Sequence, residues 1–81
     1  MEKQKIKKER YSVEMNQYHI IINTKFVITD DLKLILSLTE GIESEAVRGQ
    51  KYQITFYYGK LFTFEELSSQ LIKKLDNYLE N

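Results

Sequence analysis

The chain has 81 residues, with 12 lysines and arginines, 12 aspartates and glutamates, one histidine, and no cysteine, tryptophan or proline. This length fits one small domain, and the lack of cysteine excludes a disulfide framework or a thiolate metal site. No apolar run exceeds three residues, so the sequence predicts neither a membrane span nor a secretory leader, and we expect a cytoplasmic protein.

The charge is unevenly distributed along the chain, and the N-terminal residues form a basic block. Its charged members are Glu2, Lys3, Lys5, Lys7, Lys8, Glu9 and Arg10. We expect residues 1–9 to be a basic tail, either a disordered, solvated terminus or an electrostatic arm for an acidic partner. Residues 10–81 would then form a single small domain.

Alternating apolar and polar residues predict three strands after this tail. Residues 11–15, 18–22 and 25–28 are rich in β-branched and aromatic side chains, and short polar breaks separate them. This spacing is typical of an antiparallel meander joined by tight turns.

The next segment fits either a strand or a helix. Its leucines alternate as they would in a strand, at Leu32, Leu34, Leu36 and Leu38. However, residues 29–31 ahead of them provide a helix N-cap signal, and Gly41 behind them provides a C-cap signal. The local pattern alone leaves this segment open.

Comparison of the chain with itself favours the helix. At an offset of 35 residues, Lys25 aligns with Lys60 within two copies of one polar and apolar pattern. The second copy leads into a helix, since Thr63 and Glu66 make a capping box and apolar residues follow at spacings of three and four. By analogy, we expect a first helix over residues 31–39.

The remaining segments complete the predicted fold. Residues 40–50 contain glycines and scattered charge, which predicts an exposed loop. Residues 51–58 alternate with an aromatic inner side, and a short apolar strand follows at residues 60–62. Together these elements predict an α+β domain in the order βββαββα, with an antiparallel sheet of four or five strands and two helices on one face.

The side chains capable of chemistry do not form a recognisable site. His19 is the only histidine, and it has no partner at a metal-ligand spacing, so we expect a solvated strand histidine. The carboxylates of residues 30–45 suit helix capping and an acidic loop better than a cation-binding loop. We therefore predict no enzyme, no metal site and no cofactor.

The predicted fold leaves one sheet face without helices. Alternation places Ile21, Val27 and Tyr57 on this face, and a half-apolar face on a small domain is typical of a contact surface. We predict that a partner contacts these three side chains and an acidic set that would mimic nucleic-acid phosphates. The acidic set consists of Glu40, Glu43 and Glu45.

These features favour a small non-catalytic regulator or inhibitor that binds a larger protein. The composition is typical of an AT-rich genome, such as that of a phage or mobile element, and an anti-CRISPR-type inhibitor of a nucleic-acid enzyme is a special case. We also expect a homodimer at micromolar concentration, formed through the open sheet face or an edge. The alternative is a nucleic-acid-binding accessory factor that uses aromatic side chains and a basic set. The basic set consists of Lys3, Lys5, Lys7, Lys8, Arg10 and Lys51.

Overall fold

The computed structural model describes residues 4–80, and for residues 44–47 it describes the backbone without the side chains. The elements are β1 (Gln4–Lys7), β2 (Tyr11–Met15), β3 (His19–Thr24), α1 (Asp30–Ser37), β4 (Ile42–Gly49), β5 (Gln53–Tyr58) and α2 (Phe64–Glu80). The fold is α+β with two helices, and the order βββαββα agrees with the prediction. However, two of the observed strands lie in segments where the sequence predicted no strand.

The strands form one antiparallel sheet in the order β1-β2-β3-β5-β4. Residues paired across neighbouring strands share a face, and Val13, Ile22 and Ile54 form one such row. These three side chains are completely buried. Their row therefore lies on the face of the sheet that packs against the core.

Both helices cover this same face. Leu67, Leu71 and Leu75 of α2 recur every four residues and are completely buried, as are Leu32 and Leu36 of α1. This spacing places each set on one side of its helix, so that both sets join the sheet side chains in a single core. The segment whose leucine pattern fitted either a strand or a helix is thus confirmed as a helix, at Asp30–Ser37.

The helix N-termini are capped as predicted. The Thr29 hydroxyl accepts a hydrogen bond from the backbone N–H of Leu32 at 3.2 Å. At α2, the Thr63 hydroxyl accepts from the N–H of Glu66 at 3.2 Å, and the Glu66 carboxylate accepts from the N–H of Thr63 at 2.9 Å. The second pair of bonds is the reciprocal capping box expected from the sequence.

Two predicted strands are wrong, at residues 25–28 and 60–62. In the first, the Thr24 hydroxyl bonds the Phe26 carbonyl, and the Ile28 N–H bonds the Lys51 carbonyl at 2.8 Å. These bonds hold the segment as an irregular connection into the α1 cap. Both segments are too short to pair in the sheet because each must turn the chain into a helix.

Two observed strands lie in segments predicted as tail and loop. Residues 4–7 form β1, whose only half-buried side chain is Ile6, so its charged neighbours conceal the strand pattern. Residues 42–49 form β4, where the predicted loop over 40–50 is wrong. Register shifts interrupt the pairing of β4 with β5 and break the alternation by which a strand is identified.

Within residues 4–80, neither helix is both long and apolar enough to cross a membrane.

Candidate functional site

The sheet face without helices, here called the open face, is the first candidate surface. Strand register assigns its residues, because each pair of register partners points to the same side. They are Lys5, Lys7, Ser12, Glu14, His19, Ile21, Asn23, Arg48, Gln53, Thr55 and Tyr57. Lys5 and Lys7 lie on one edge strand and Arg48 on the other, so basic side chains flank the face on both sides.

The centre of the open face is an interlocked polar ladder. The Gln53 side-chain amide donates to the Asn23 carbonyl oxygen at 2.7 Å, and the Asn23 amide donates to the Glu14 carboxylate at 3.4 Å. Glu14 is only 8% exposed even though no helix covers it. The centre of the face is therefore more polar than the half-apolar surface predicted from the sequence.

Aromatic side chains lie at one end of the open face. Tyr57 is 47% exposed, and its ring centroid lies 5.2 Å from that of its register partner His19. The centroid of the Tyr18 ring lies 6.3 Å from that of His19. His19 is thus a half-buried residue at the start of β3 with two aromatic rings near it.

The predicted apolar contact set is only partly gathered on this face. Ile21 and Tyr57 lie on it, but the placement of Val27 is wrong, because residues 25–28 are not a strand. Val27 instead lines a groove of about 420 Å³ with Arg10, Phe26, Tyr78 and Leu79. It therefore belongs to a separate surface beside the end of α2.

The predicted acidic set is not brought together with those side chains. Glu40 is exposed in the turn after α1, and Glu43 is exposed near the start of β4. The side chain of Glu45 lies outside the part of the chain that the structure describes. The two described glutamates lie close along the chain to the C-terminal end of α1.

The predicted basic set is spread over the strand β1 and two turns. Lys5 and Lys7 point to the open face, and Lys8 and Arg10 belong to the β1–β2 connection. The guanidinium of Arg10 lies 5.5 Å above the Phe26 ring. Lys51 lies in the β4–β5 turn beside Tyr52, and Lys3 lies outside the described residues.

A second candidate surface, which sequence reasoning missed, lies on the outer side of α1. Leu34, Ile35 and Leu38 are 59%, 37% and 69% exposed and are neighbours at spacings of one, three and four; we call them the α1 ridge. The alternating leucines contain the sequence signal for this surface. Residues two apart lie on nearly opposite sides of a helix, so burial of Leu32 and Leu36 leaves Leu34 and Leu38 outside.

The α1 ridge is held on a fixed helix. The Thr29 and Tyr78 hydroxyls are hydrogen bonded at 2.9 Å, and the ammonium of Lys74 donates to the Ile35 carbonyl at 3.1 Å. Both contacts tie α1 to α2. The ridge is therefore presented on a helix that is anchored at its start and along its length.

Carboxylates flank the α1 ridge. Asp31 precedes Leu34 by one helical turn and is exposed, and Glu40 follows the ridge in the next turn. Asp30 is paired with Lys33 at 3.8 Å, so its charge is partly balanced. The ridge thus combines exposed aliphatic side chains with a net acidic border.

Among the side chains that the structure describes, no cluster of three histidines or carboxylates is arranged to hold a metal ion. The sequence matches no protein-family model, and it has no significant match among curated proteins or solved structures.

Proposed function

We propose that the protein is a small non-catalytic regulator that binds a larger protein through the α1 ridge. The observation that carries this proposal is the exposure of three large aliphatic side chains, those of Leu34 and Ile35 in α1 and of Leu38 at its C-cap. Contiguous apolar side chains with a polar border are typical of protein interaction sites.

The energetics support docking at this surface. Burial of a leucine that was exposed contributes about 1.5 to 3 kcal/mol, so the ridge offers a substantial part of the free energy of a specific complex. Since α1 is already fixed to α2 by the Lys74 bond, docking does not require this helix to fold first. A preformed helix presenting apolar anchors is a common recognition mode.

The charges at the border define the partner's chemistry. Asp31 and Glu40 favour a partner that has an apolar recess with lysine or arginine at its rim. A basic cleft of a nucleic-acid enzyme meets this description, with Glu40 and Glu43 in the place of phosphates. Inhibition of such an enzyme is therefore a special case of the proposal, and substitution of both glutamates by glutamine should slow association and flatten its salt dependence.

Site-specific photocrosslinking in the native host tests the proposal. A benzophenone amino acid at position 34 should crosslink a defined larger protein. The same amino acid at position 57, an exposed site on the opposite face of the sheet, serves as the control. Crosslinking of the same protein from both positions, or no product from position 34, would contradict docking through the ridge.

A second function, nucleic-acid binding, is favoured by a different observation on the open face. Among the described residues that register assigns to this face, Glu14 is the only acidic one and is buried, whereas Lys5, Lys7 and Arg48 lie on the two edge strands of the face. A face that carries both exposed aromatic and basic side chains suits stacking of single-stranded bases.

Fluorescence anisotropy with a labelled single-stranded oligonucleotide tests this second function. Binding should weaken steeply between low and moderate salt, because phosphate contacts release counterions. Tyr57→Ala should weaken it further, and Leu34→Ala on the helix side should not. An absence of binding at low salt would eliminate the second function without affecting the first.

A further inference from the structure

A small basic pocket lies at the end of the sheet where the β1–β2 connection meets the end of β3. Its volume is about 110 Å³, and it is lined by Lys7, Lys8, Tyr11, Ser12, Asn23, Thr24 and Lys25. A water molecule occupies about 30 Å³, so the pocket admits a group of several heavy atoms. It lies apart from the α1 ridge, which projects from a helix on the other face of the sheet.

Backbone hydrogen bonds fix the lysines around this pocket. The N–H of Lys8 donates to the Tyr11 carbonyl at 2.8 Å, and the N–H of Lys25 donates to the Arg10 carbonyl at 2.9 Å. The second bond ties the β1–β2 connection to the chain after β3. Lys8 and Lys25 are thus held on the two segments that enclose the pocket.

Strand register provides the floor of the pocket. Lys7, Ser12 and Asn23 are partners across β1, β2 and β3 and form one row on the open face. Neighbouring strands are about 4.8 Å apart, so the outer two members of the row lie roughly 10 Å from each other. This distance accommodates a tetrahedral oxyanion over the central Ser12.

The polar groups at the pocket match an anion. No carboxylate is among the lining residues, and within residues 4–80 none of the ammonium groups of Lys7, Lys8 and Lys25 has an ion-pair partner. Ser12 as a residue is 9% exposed, and its hydroxyl, which solvent reaches, has no hydrogen-bond partner among the described residues. An unpartnered hydroxyl in a pocket lined by three lysines offers a donor to a bound oxyanion.

We propose that this pocket binds a phosphate group. Three ammonium groups suit the charge of a phosphate better than that of a carboxylate, and lysine binds phosphate as a point charge that tolerates varied geometry. The phosphate belongs either to a small phosphomonoester or to the backbone of a nucleic acid. Both sources share the same chemistry at the pocket, and titrations distinguish them.

Nuclear magnetic resonance of the ¹⁵N-labelled full chain tests the site. Sodium phosphate is titrated against sodium chloride at constant ionic strength, and the backbone amide shifts of Ser12 and Lys25 are followed. We expect saturable shifts with phosphate that chloride does not produce. Equal responses to the two salts would overturn the proposal.

Variants with matched charge locate the binding. Lys7→Ala with Lys25→Ala should raise the dissociation constant for phosphate by about tenfold or more, because two nearby cations are lost. Lys51→Ala with Lys73→Ala removes the same net charge outside the pocket and should leave it nearly unchanged. If both double variants weaken phosphate binding equally, the attraction is a property of the whole surface and the pocket is not a site.

Competition identifies the source of the phosphate. A sugar monophosphate and an oligothymidylate without a terminal phosphate are each added to the protein at saturating inorganic phosphate. Displacement by the sugar monophosphate alone supports a small ligand, and displacement by the oligonucleotide supports a nucleic-acid backbone. If neither organic phosphate reaches the pocket, it does not serve a biological phosphate ligand and the proposal fails.

Discussion

Leu34 and Leu36 are two residues apart on α1 and lie on opposite sides of it, since Leu36 is completely buried and Leu34 is largely exposed. In the same way, Leu32 is completely buried and Leu38 is largely exposed. Of the four leucines in α1 and its C-cap, two therefore stabilise the domain and two remain available to a partner. This separation is the structural basis of the proposed function.

The two leucines provide a matched pair for testing the orientation of α1. Leu36→Ala should lower the free energy of unfolding by about 2 to 5 kcal/mol, because it leaves a cavity in the core. Leu34→Ala should change it by less than about 0.5 kcal/mol, because the side chain lies at the surface. Urea unfolding followed by circular dichroism measures both values, and equal losses would mean that the helix faces the sheet differently.

The hydrogen bond from Tyr11 to Asp76 predicts a pH dependence of stability. The Tyr11 hydroxyl donates to the Asp76 carboxylate at 2.6 Å, joining β2 to α2. Burial, and then the hydrogen bond and charge of Asp76, raise the pKa of Tyr11 above its ordinary value of 10.0. The unfolded chain therefore releases this proton first, so the contribution of Tyr11 is complete below about pH 10 and is lost as the pH rises above it.

Tyr11→Phe isolates this contribution from that of the other tyrosines. The variant should be less stable by about 1 kcal/mol near neutral pH, because it lacks the hydrogen bond. The difference in unfolding free energy between the variant and the original chain should shrink above about pH 10, where deprotonation of Tyr11 is linked to unfolding. Unfolding free energies measured across this range would refute the assignment if the two curves stayed parallel.

Gly41 is required where α1 leads into β4. Its φ is +92°, and a Cβ atom there would lie 2.6 Å from Cδ2 of Leu67. Gly41→Ala should therefore destabilise the domain by about 1 to 3 kcal/mol through backbone strain, in addition to the overlap with α2.

Gly49→Ala is the control for this substitution. A Cβ atom at Gly49 would meet only the Lys33 side chain, at 3.6 Å, and the backbone there has no unusual φ. Its melting temperature should be close to that of the original chain. Comparable losses at both glycines would show that the turn after α1 does not depend on the conformation of Gly41.

We also expect self-association through the open face rather than through a strand edge. β1 carries Lys5 and Lys7, and the pairing of β4 is interrupted by register shifts, so both edges have features that discourage further strand pairing. Ile21 and Tyr57 are left as apolar contacts for a second copy.

Sedimentation equilibrium at micromolar concentration tests this homodimer. A dimer mass that Tyr57→Ala reduces, with circular dichroism unchanged, would place the contact on the open face. A monomer mass throughout this range would remove the homodimer and leave both surfaces for other partners.

The helices were predictable because their signals are local. The capping box of Thr63 and Glu66 and the leucines of α2 determine that helix within one segment. The caps around α1 left that segment open between strand and helix, and its likeness to the segment leading into α2 decided for the helix. The burial of Leu32 and Leu36 then follows from the period of a helix. The α1 ridge was therefore present in the sequence, in the alternation of its leucines.

The edge strands were not predictable in the same way. β1 has one half-buried apolar residue, Ile6, and becomes a strand because Val13 of the neighbouring strand is available to pair with it. β4 is irregular, so its pattern does not alternate. The basic pocket depends on the pairing of β1, since Lys7 and Ser12 come together only when β1 joins the sheet.

The affinity of the purified partner for ridge variants tests the central claim most directly. The protein crosslinked from position 34 is purified, and its dissociation constant is measured by calorimetry with the original chain, with Leu34→Glu plus Leu38→Glu, and with Tyr57→Glu. We predict that the double variant lowers affinity at least about a hundredfold, because two apolar anchors are replaced by charges that must be desolvated. Tyr57→Glu should remain within about threefold of the original chain. Equal affinities of the double variant and the original chain, with both folded, would contradict binding through α1.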